Sequence, residues 1–211
     1  MKELTVLLII QVLKKFGYKV FDNNKPFNLN IVGIRSNNNK PNQFDDTLVV
    51  FYKDESGKWK LHQWKITTDP GLYYLKNPLN VEGAAILVED QYESAYQIGK
   101  HRGKYEALVQ VKPVKVIRDA NRDGVLDFGE SKQEAGLFGI NIHRAYPVGE
   151  TTAVDKWSAG CQVFKDAEEF RDFMQLCYMS ARRYGNSFTY TLLNETDFES
   201  EKQNEISDSA A

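Results

Sequence analysis

Cysteine is nearly absent. Cys161 and Cys177 are the only two in 211 residues, so no disulfide framework organises the chain, and its length does not require one. Histidine is equally scarce. His62, His101 and His143 are the full set, and no H-E-x-x-H pair of the zinc hydrolases occurs. A long apolar run is missing too. Thr5-Val-Leu-Leu-Ile-Ile10 is far too short to span a bilayer, so no membrane span is expected. That run continues as Gln11-Val-Leu-Lys-Lys-Phe16 without the small-residue cleavage site of a signal peptide. Synthesis in the cytoplasm without an export signal is the expectation. Nor is there an excess of charge of one sign. Against 27 basic residues stand 29 acidic ones, a net of −2, which argues against a strongly cationic nucleic-acid binder. The six acids and single lysine from Glu195 onward carry −5 of that total, which leaves +3 for the body.

What is present is enough apolar material, 42%, to build a core. The first element reads as a helix over residues 1–16, buried on the face formed by Leu4, Leu7, Leu8, Val12 and Phe16. Lys14 and Lys15 lie in its last turn and Gly17 just beyond. Short apolar runs separated by turn signals then read as strands: Leu29–Ile34, Thr47–Lys53, Lys58–Ile66, Ala85–Val88, Tyr105–Lys112, Val114–Arg118, Leu137–Ile142, Cys161–Phe164 and Ser187–Leu193. One strong helix interrupts them. Asp166 caps it, Phe170, Phe173, Met174 and Cys177 form its apolar stripe, and Gly185 stops it. The pattern predicts an α+β, mainly β chain, with an antiparallel sandwich or barrel. One domain is expected over 1–194, followed by an acidic disordered tail over 195–211.

Chemistry concentrates in one stretch. His143 ends an expected strand, and Ser158-Ala-Gly160-Cys161 opens another. Neighbouring strands would set His143 beside Cys161. A thiol near its free pKa is mostly protonated at neutral pH, and an adjacent imidazole can take that proton and later return it to a leaving amine. Gly160 allows close backbone approach, the Gly160 and Cys161 amides are candidate oxyanion donors, and Ser158 is placed to hold the turn. Cys177, within a packing stripe, reads as a buried hydrophobe.

The His143…Ser158-x-Gly160-Cys161 pattern resembles the signature of L,D-transpeptidase catalytic domains, the YkuD-like family: His-Gly, a comparable gap, then Ser/Thr-His-Gly-Cys. The resemblance spans about Leu72 to Leu193 at fold level, and its specific part is His143 to Cys161. It implies a mostly β sandwich with a helix, a cysteine nucleophile at Cys161 and a base at His143. It also implies a peptidoglycan stem peptide as substrate, attacked beside a D-amino-acid centre. Three positions depart from the pattern. Arg144 stands at the family's Gly, Ala159 at the histidine of the turn, and Val163 where an Arg or Asn often follows the cysteine. A thiol hydrolase or amidase of the same fold fits as well as a transpeptidase. The missing export signal suits a phage-type lytic or virion-associated enzyme that reaches the cell wall after release. Arg144, His101 in a Gly-flanked basic loop, and Arg35 as a carboxylate clamp are the candidate substrate-binding residues.

A second motif is sharp. From Asp119 to Glu130 the chain matches the twelve-residue calcium loop at each ligand position: Asp119, Asn121, Asp123, the Val125 carbonyl, Asp127 and Glu130, with Gly124 at the turn. Hard oxygens at alternate positions suit Ca²⁺. With a strand, Val114–Arg118, before it and at most a short turn of helix over Ser131–Gly136 after it, the segment reads as a structural calcium loop inserted between strands, not a helix–loop–helix. No organic cofactor is expected. The competing reading is a non-catalytic, calcium-stabilised β module of a cell-wall-binding or virion structural kind.

Overall fold

Residues 4–38, 40–129 and 133–199 are described by the computed structural model. The chain opens with helix α1 (Val6–Lys15), followed by β1 (Asn30–Arg35), β2 (Asp46–Lys53) and β3 (Trp59–Thr67). A short helix α2 (Leu72–Lys76) precedes β4 (Ala84–Leu87), β5 (Asp90–His101), β6 (Tyr105–Gln110) and β7 (Val114–Asp119). Then come β8 (Glu134–Gly136), β9 (Ile142–Arg144), β10 (Gln162–Phe164), helix α3 (Ala167–Tyr184) and β11 (Phe188–Asn194).

Eight strands close into a barrel in the order β1-β11-β5-β6-β9-β10-β3-β2, and β4-β7-β8 form a separate three-stranded sheet. The architecture is α+β and mainly β, with mixed rather than wholly antiparallel pairing. β1 runs parallel to β11, and β9 parallel to β10. Parallel neighbours need long connections, and the 145–161 segment supplies one between β9 and β10. Among the described residues no helix is long and apolar enough to cross a membrane.

β1 and β2 read as continuous apolar runs because both of their faces are covered. Ile31, Leu48 and Val50 point into the main core with Trp64, Phe164 and the Phe170–Phe173 face of α3. Val32, Ile34, Val49 and Phe51 meet α1 on the other side. The face of α1 differs from the expected one. Leu8, Ile9, Val12 and Leu13 are buried while Leu7 is 69% exposed. Val6–Ile10 is apolar all round, so periodicity alone does not choose a stripe, and the barrel surface chooses it. Thr5 caps this helix by accepting from the Leu8 amide at 3.2 Å. Asp166 caps α3 through the Glu168 and Glu169 amides, and Cys177 is fully buried in its stripe as expected.

Three strand assignments change, the first being β8, Glu134–Gly136, which pairs with β7 where at most a short turn of helix was expected. β5, the longest strand, was not expected: its buried Tyr92, Ala95 and Tyr96 are interleaved with polar residues, and Ser94 adopts φ 52° at an irregularity against β11. Residues 137–141, expected as strand, are irregular. The Gln110 side chain serves as their pairing partner, accepting from Phe138 and Ile140 amides at 3.1 and 3.0 Å and donating to the Gly136 carbonyl at 2.8 Å. The start of the acidic segment is also ordered. Glu195–Phe198 is a 3₁₀ turn with a capping box at Asn194 and Asp197, and Phe198 is buried beside α1. The rest of that expected tail, from residue 200, lies outside the described residues.

Candidate active site

β9 and β10 pair in parallel with His143 opposite Val163, and the ladder extends one step further through Gln162 N–H donating to Asn141 O at 2.9 Å. Side chains alternate along a strand, so Cys161, two residues before Val163, returns to the side of the sheet that holds His143. The turn ahead of the cysteine is tightly tied. Ser158 is fully buried; its hydroxyl donates to the Cys161 carbonyl at 2.8 Å and accepts from the Gly160 amide at 3.1 Å. Gly160 has φ +117°, and a Cβ there would sit 2.5 Å from the Ala85 carbonyl oxygen, so only glycine fits. The Gly160 amide is therefore committed to the turn and is not an oxyanion donor. The Cys161 amide has no hydrogen-bond partner among the described residues.

His143 is 3% exposed. Its Nδ1 lies 2.8 Å from the Arg144 carbonyl, and the Tyr105 hydroxyl, 3.2 Å from the same nitrogen, donates to that carbonyl at 3.0 Å. A carbonyl only accepts, so the proton resides on Nδ1 and the lone pair on Nε2. Nε2 is buried without a hydrogen-bond partner. Burial, and then the neighbouring His101, push the His143 pKa down to about 3. His101 is pushed down to about 4 by burial and then by Arg102. The two rings stack with centroids 4.0 Å apart. Burial raises the Cys161 thiol, against the smaller lowering effects of the Asn141 amide and Arg102. Near neutral pH the site thus holds a thiol and two neutral imidazoles, not a thiolate–imidazolium pair.

A cavity of about 400 Å³ reaches Cys161, bounded by His101, Arg102, Tyr74, Asn141 and Ala159. His101 was expected in a loop. It is the buried last residue of β5, held by Asn141 Nδ2 at 3.0 Å from its Nδ1. It forms cleft wall, while His143 lies behind it. The sulfur itself accepts from the Asn141 amide at 3.4 Å and approaches the Gly139 carbonyl at 3.5 Å. Sequence reasoning missed Arg102, Asn141 and Tyr105. The signal available was Ile98-Gly-Lys-His-Arg-Gly-Lys-Tyr105, a basic hairpin in which Arg102 takes φ 50°.

The other substrate-binding candidates lie elsewhere. The Arg144 guanidinium stacks 4.3 Å from the Tyr105 ring centroid, outside the cleft, and its contribution to the site is its carbonyl. Arg35 is 2% exposed. It pairs with Asp69 at 3.0 Å and Glu89 at 2.6 Å and donates to the Leu87 carbonyl at 2.9 Å. A guanidinium so fully engaged is a structural centre, not a free clamp. Asp46, close by, is raised to about 7 by burial and by Asp69.

In the calcium-type loop, Asp119 ends β7 and Asn121, Asp123, Val125 and Asp127 follow in the connection to β8. Glu130 lies outside the described residues. Among the described residues no three acidic, histidine or cysteine side chains converge closely enough to hold a metal. No protein-family model, curated protein or solved structure matches this chain.

Proposed function

We propose that this chain is a cysteine acyl-transfer enzyme acting on peptidoglycan stem peptides, of L,D-transpeptidase type or a hydrolase of the same kind. The observation that carries this reading is the state of His143: proton fixed on Nδ1 by the Arg144 carbonyl, Nε2 lone pair buried and unpartnered, on β9, which pairs with the strand that Cys161 immediately precedes. Buried polar atoms are ordinarily satisfied, and exceptions mark function or strain.

In this mechanism His143 Nε2 takes the Cys161 proton as sulfur attacks the peptide carbonyl carbon. The Cys161 amide faces the developing oxyanion. The tetrahedral adduct collapses, the C–N bond breaks, and the leaving amine takes the proton from Nε2. A thioester remains. An acceptor amine, or water, then attacks it, giving its proton to His143, and the thiol is reformed. Val163, in the position where the family often carries an Arg or Asn, is buried in β10. Arg102, at the cleft rim, supplies positive charge for a substrate carboxylate in its place.

The test is acylation by a thiol-reactive carbapenem and turnover of muropeptides, for wild type, Cys161→Ala and His143→Gln. Loss of both signals in the variants is expected. Equal behaviour of the three proteins would leave the second reading, the non-catalytic β module, which the upward-shifted thiol favours.

A further inference from the structure

The loop after β7 is the motif that the proposed chemistry does not use. Asp119, Asn121 and Asp123 alternate along it, Gly124 turns the chain at φ +86°, and Val125 and Asp127 follow in calcium-loop register. The fold already gathers this loop. Val125 N–H donates to Asp123 Oδ1 at 2.7 Å, and Asp127 N–H crosses the loop to Asp119 Oδ2 at 3.2 Å. The carboxylates of Asp123 and Asp127 both converge on the Asn121 amide, so a donor group sits between two acids.

A separate observation points to a ligand. Asp119 is 2% exposed, and its Oδ1 is sealed from solvent with no hydrogen-bond partner, although its Oδ2 faces the loop and accepts from Asp127. A buried carboxylate oxygen without a hydrogen-bond partner calls for a counter-charge. Carboxylate, amide and carbonyl oxygens at alternate positions suit Ca²⁺ rather than Mg²⁺, which demands a near-ideal octahedron, or softer metals.

The loop is also a structural support of the Cys161 cleft. Leu126 is buried with Leu75 of α2, Ile86 and Ile117. Gly124 lies against α2, where a Cβ would come 2.6 Å from Lys76 Cε and 2.9 Å from Leu72 Cδ1. Gly71, at the start of α2, donates to the Ser158 carbonyl at 2.9 Å, inside the turn that presents the cysteine. Tyr74 and Leu79, in and just after α2, line the cavity. We infer that residues 119–127 bind one Ca²⁺ ion, and that the bound ion fixes α2 and with it the wall of the cleft over Cys161. The inference does not require Cys161 to be catalytic.

The experiment uses the full chain stripped with chelator. CaCl₂ is titrated calorimetrically, melting is followed with Ca²⁺ or with excess chelator, and alkylation of Cys161 by iodoacetamide is timed in both conditions. Cys177 is fully buried and does not compete. One bound ion is expected, with a melting temperature that rises with Ca²⁺ concentration by mass action and an alkylation rate that changes at least threefold. Asp123→Ala, at an exposed position, is expected to weaken binding more than tenfold and to abolish both responses. Asp119→Asn removes the orphaned charge, so it is expected to melt no lower than wild type in chelator while losing the Ca²⁺ response. No heat of binding and identical melting curves overturn the site, as does binding that neither variant weakens. Specific binding with an unchanged alkylation rate overturns the coupling to the cleft.

Discussion

Two buried polar clusters in this molecule follow opposite rules. Around Arg35, charge is matched by charge. Asp69 and Glu89 pair with the guanidinium, the Leu87 and Thr68 carbonyls take further N–H groups, and Asp46 receives the Ser36 amide together with the Thr68 amide and hydroxyl. Around His143 the two imidazoles are neutral, and the buried Nε2 lone pair is left without a partner. The first arrangement anchors β1 to the β3–α2 connection and the end of β4. The second places an unpartnered lone pair behind His101, which walls the cleft. Burial by itself does not distinguish the two clusters, and neither does a missing hydrogen bond; an ionic partner does, because Asp69 Oδ1, also without a hydrogen bond, lies 3.0 Å from the Arg35 guanidinium, whereas His143 Nε2 has no such partner.

Breaking the Arg35 cluster should produce the largest effect. Arg35→Ala leaves buried Asp69 and Asp46 facing each other without a cation, and a loss of about 3–5 kcal/mol is expected in urea unfolding. Substituting His143 tests the other side of the contrast. His143→Gln should lower turnover by about 10²–10⁴-fold, the usual contribution of a general base, while its unfolding midpoint moves far less than that of Arg35→Ala. If the two variants lose stability equally, the clusters are of one kind. Tyr105→Phe deletes the hydroxyl shared by the Arg144 carbonyl and His143 Nδ1. A loss of about 1 kcal/mol is expected, with activity largely kept, because the Arg144 carbonyl still orients the ring.

Titration sharpens the same comparison. Both imidazoles lie below their ordinary 6.5, at about 4 and about 3. As pH falls from 6.5, the unfolded chain takes up protons that the native state refuses, so these groups remove stability through that window. Asp46 works in the other direction. Raised to about 7 from 3.8, it gives stability that is full below 3.8 and fades as pH rises toward 7. The pH–stability curve of His143→Gln should therefore fall less steeply below 6.5 than that of wild type. The smallest effect concerns the thiol. Because its pKa is raised above 9, the rate of Cys161 alkylation should keep climbing beyond pH 9 rather than level off near neutrality.

Much of the frame was legible in the residues. The β1 and β2 runs, the capped α3 with Cys177 in its stripe, and the Ser158–Cys161 turn all follow from local preference and periodicity, and they occur where those rules place them. β5 was not legible, because its apolar positions are broken by an irregularity at Ser94 and its pairing with β6 and β11 sets which residues turn inward. The same long-range pairing moved His101 from a loop to the cleft wall and stacked it on His143.

Sequence alone determined which candidate groups are present: one sulfur behind a glycine, one imidazole on a nearby strand, and one run of alternating oxygens after β7. Tertiary structure decided their condition. Barrel closure buried His143 and drove it neutral, the Arg144 carbonyl chose which nitrogen keeps its lone pair, and Asp69 and Glu89 engaged the Arg35 guanidinium in ion pairs. Residue type fixes the chemistry a side chain can perform, whereas desolvation and hydrogen-bond partners, which come from residues far away in the chain, fix its proton and its freedom to act.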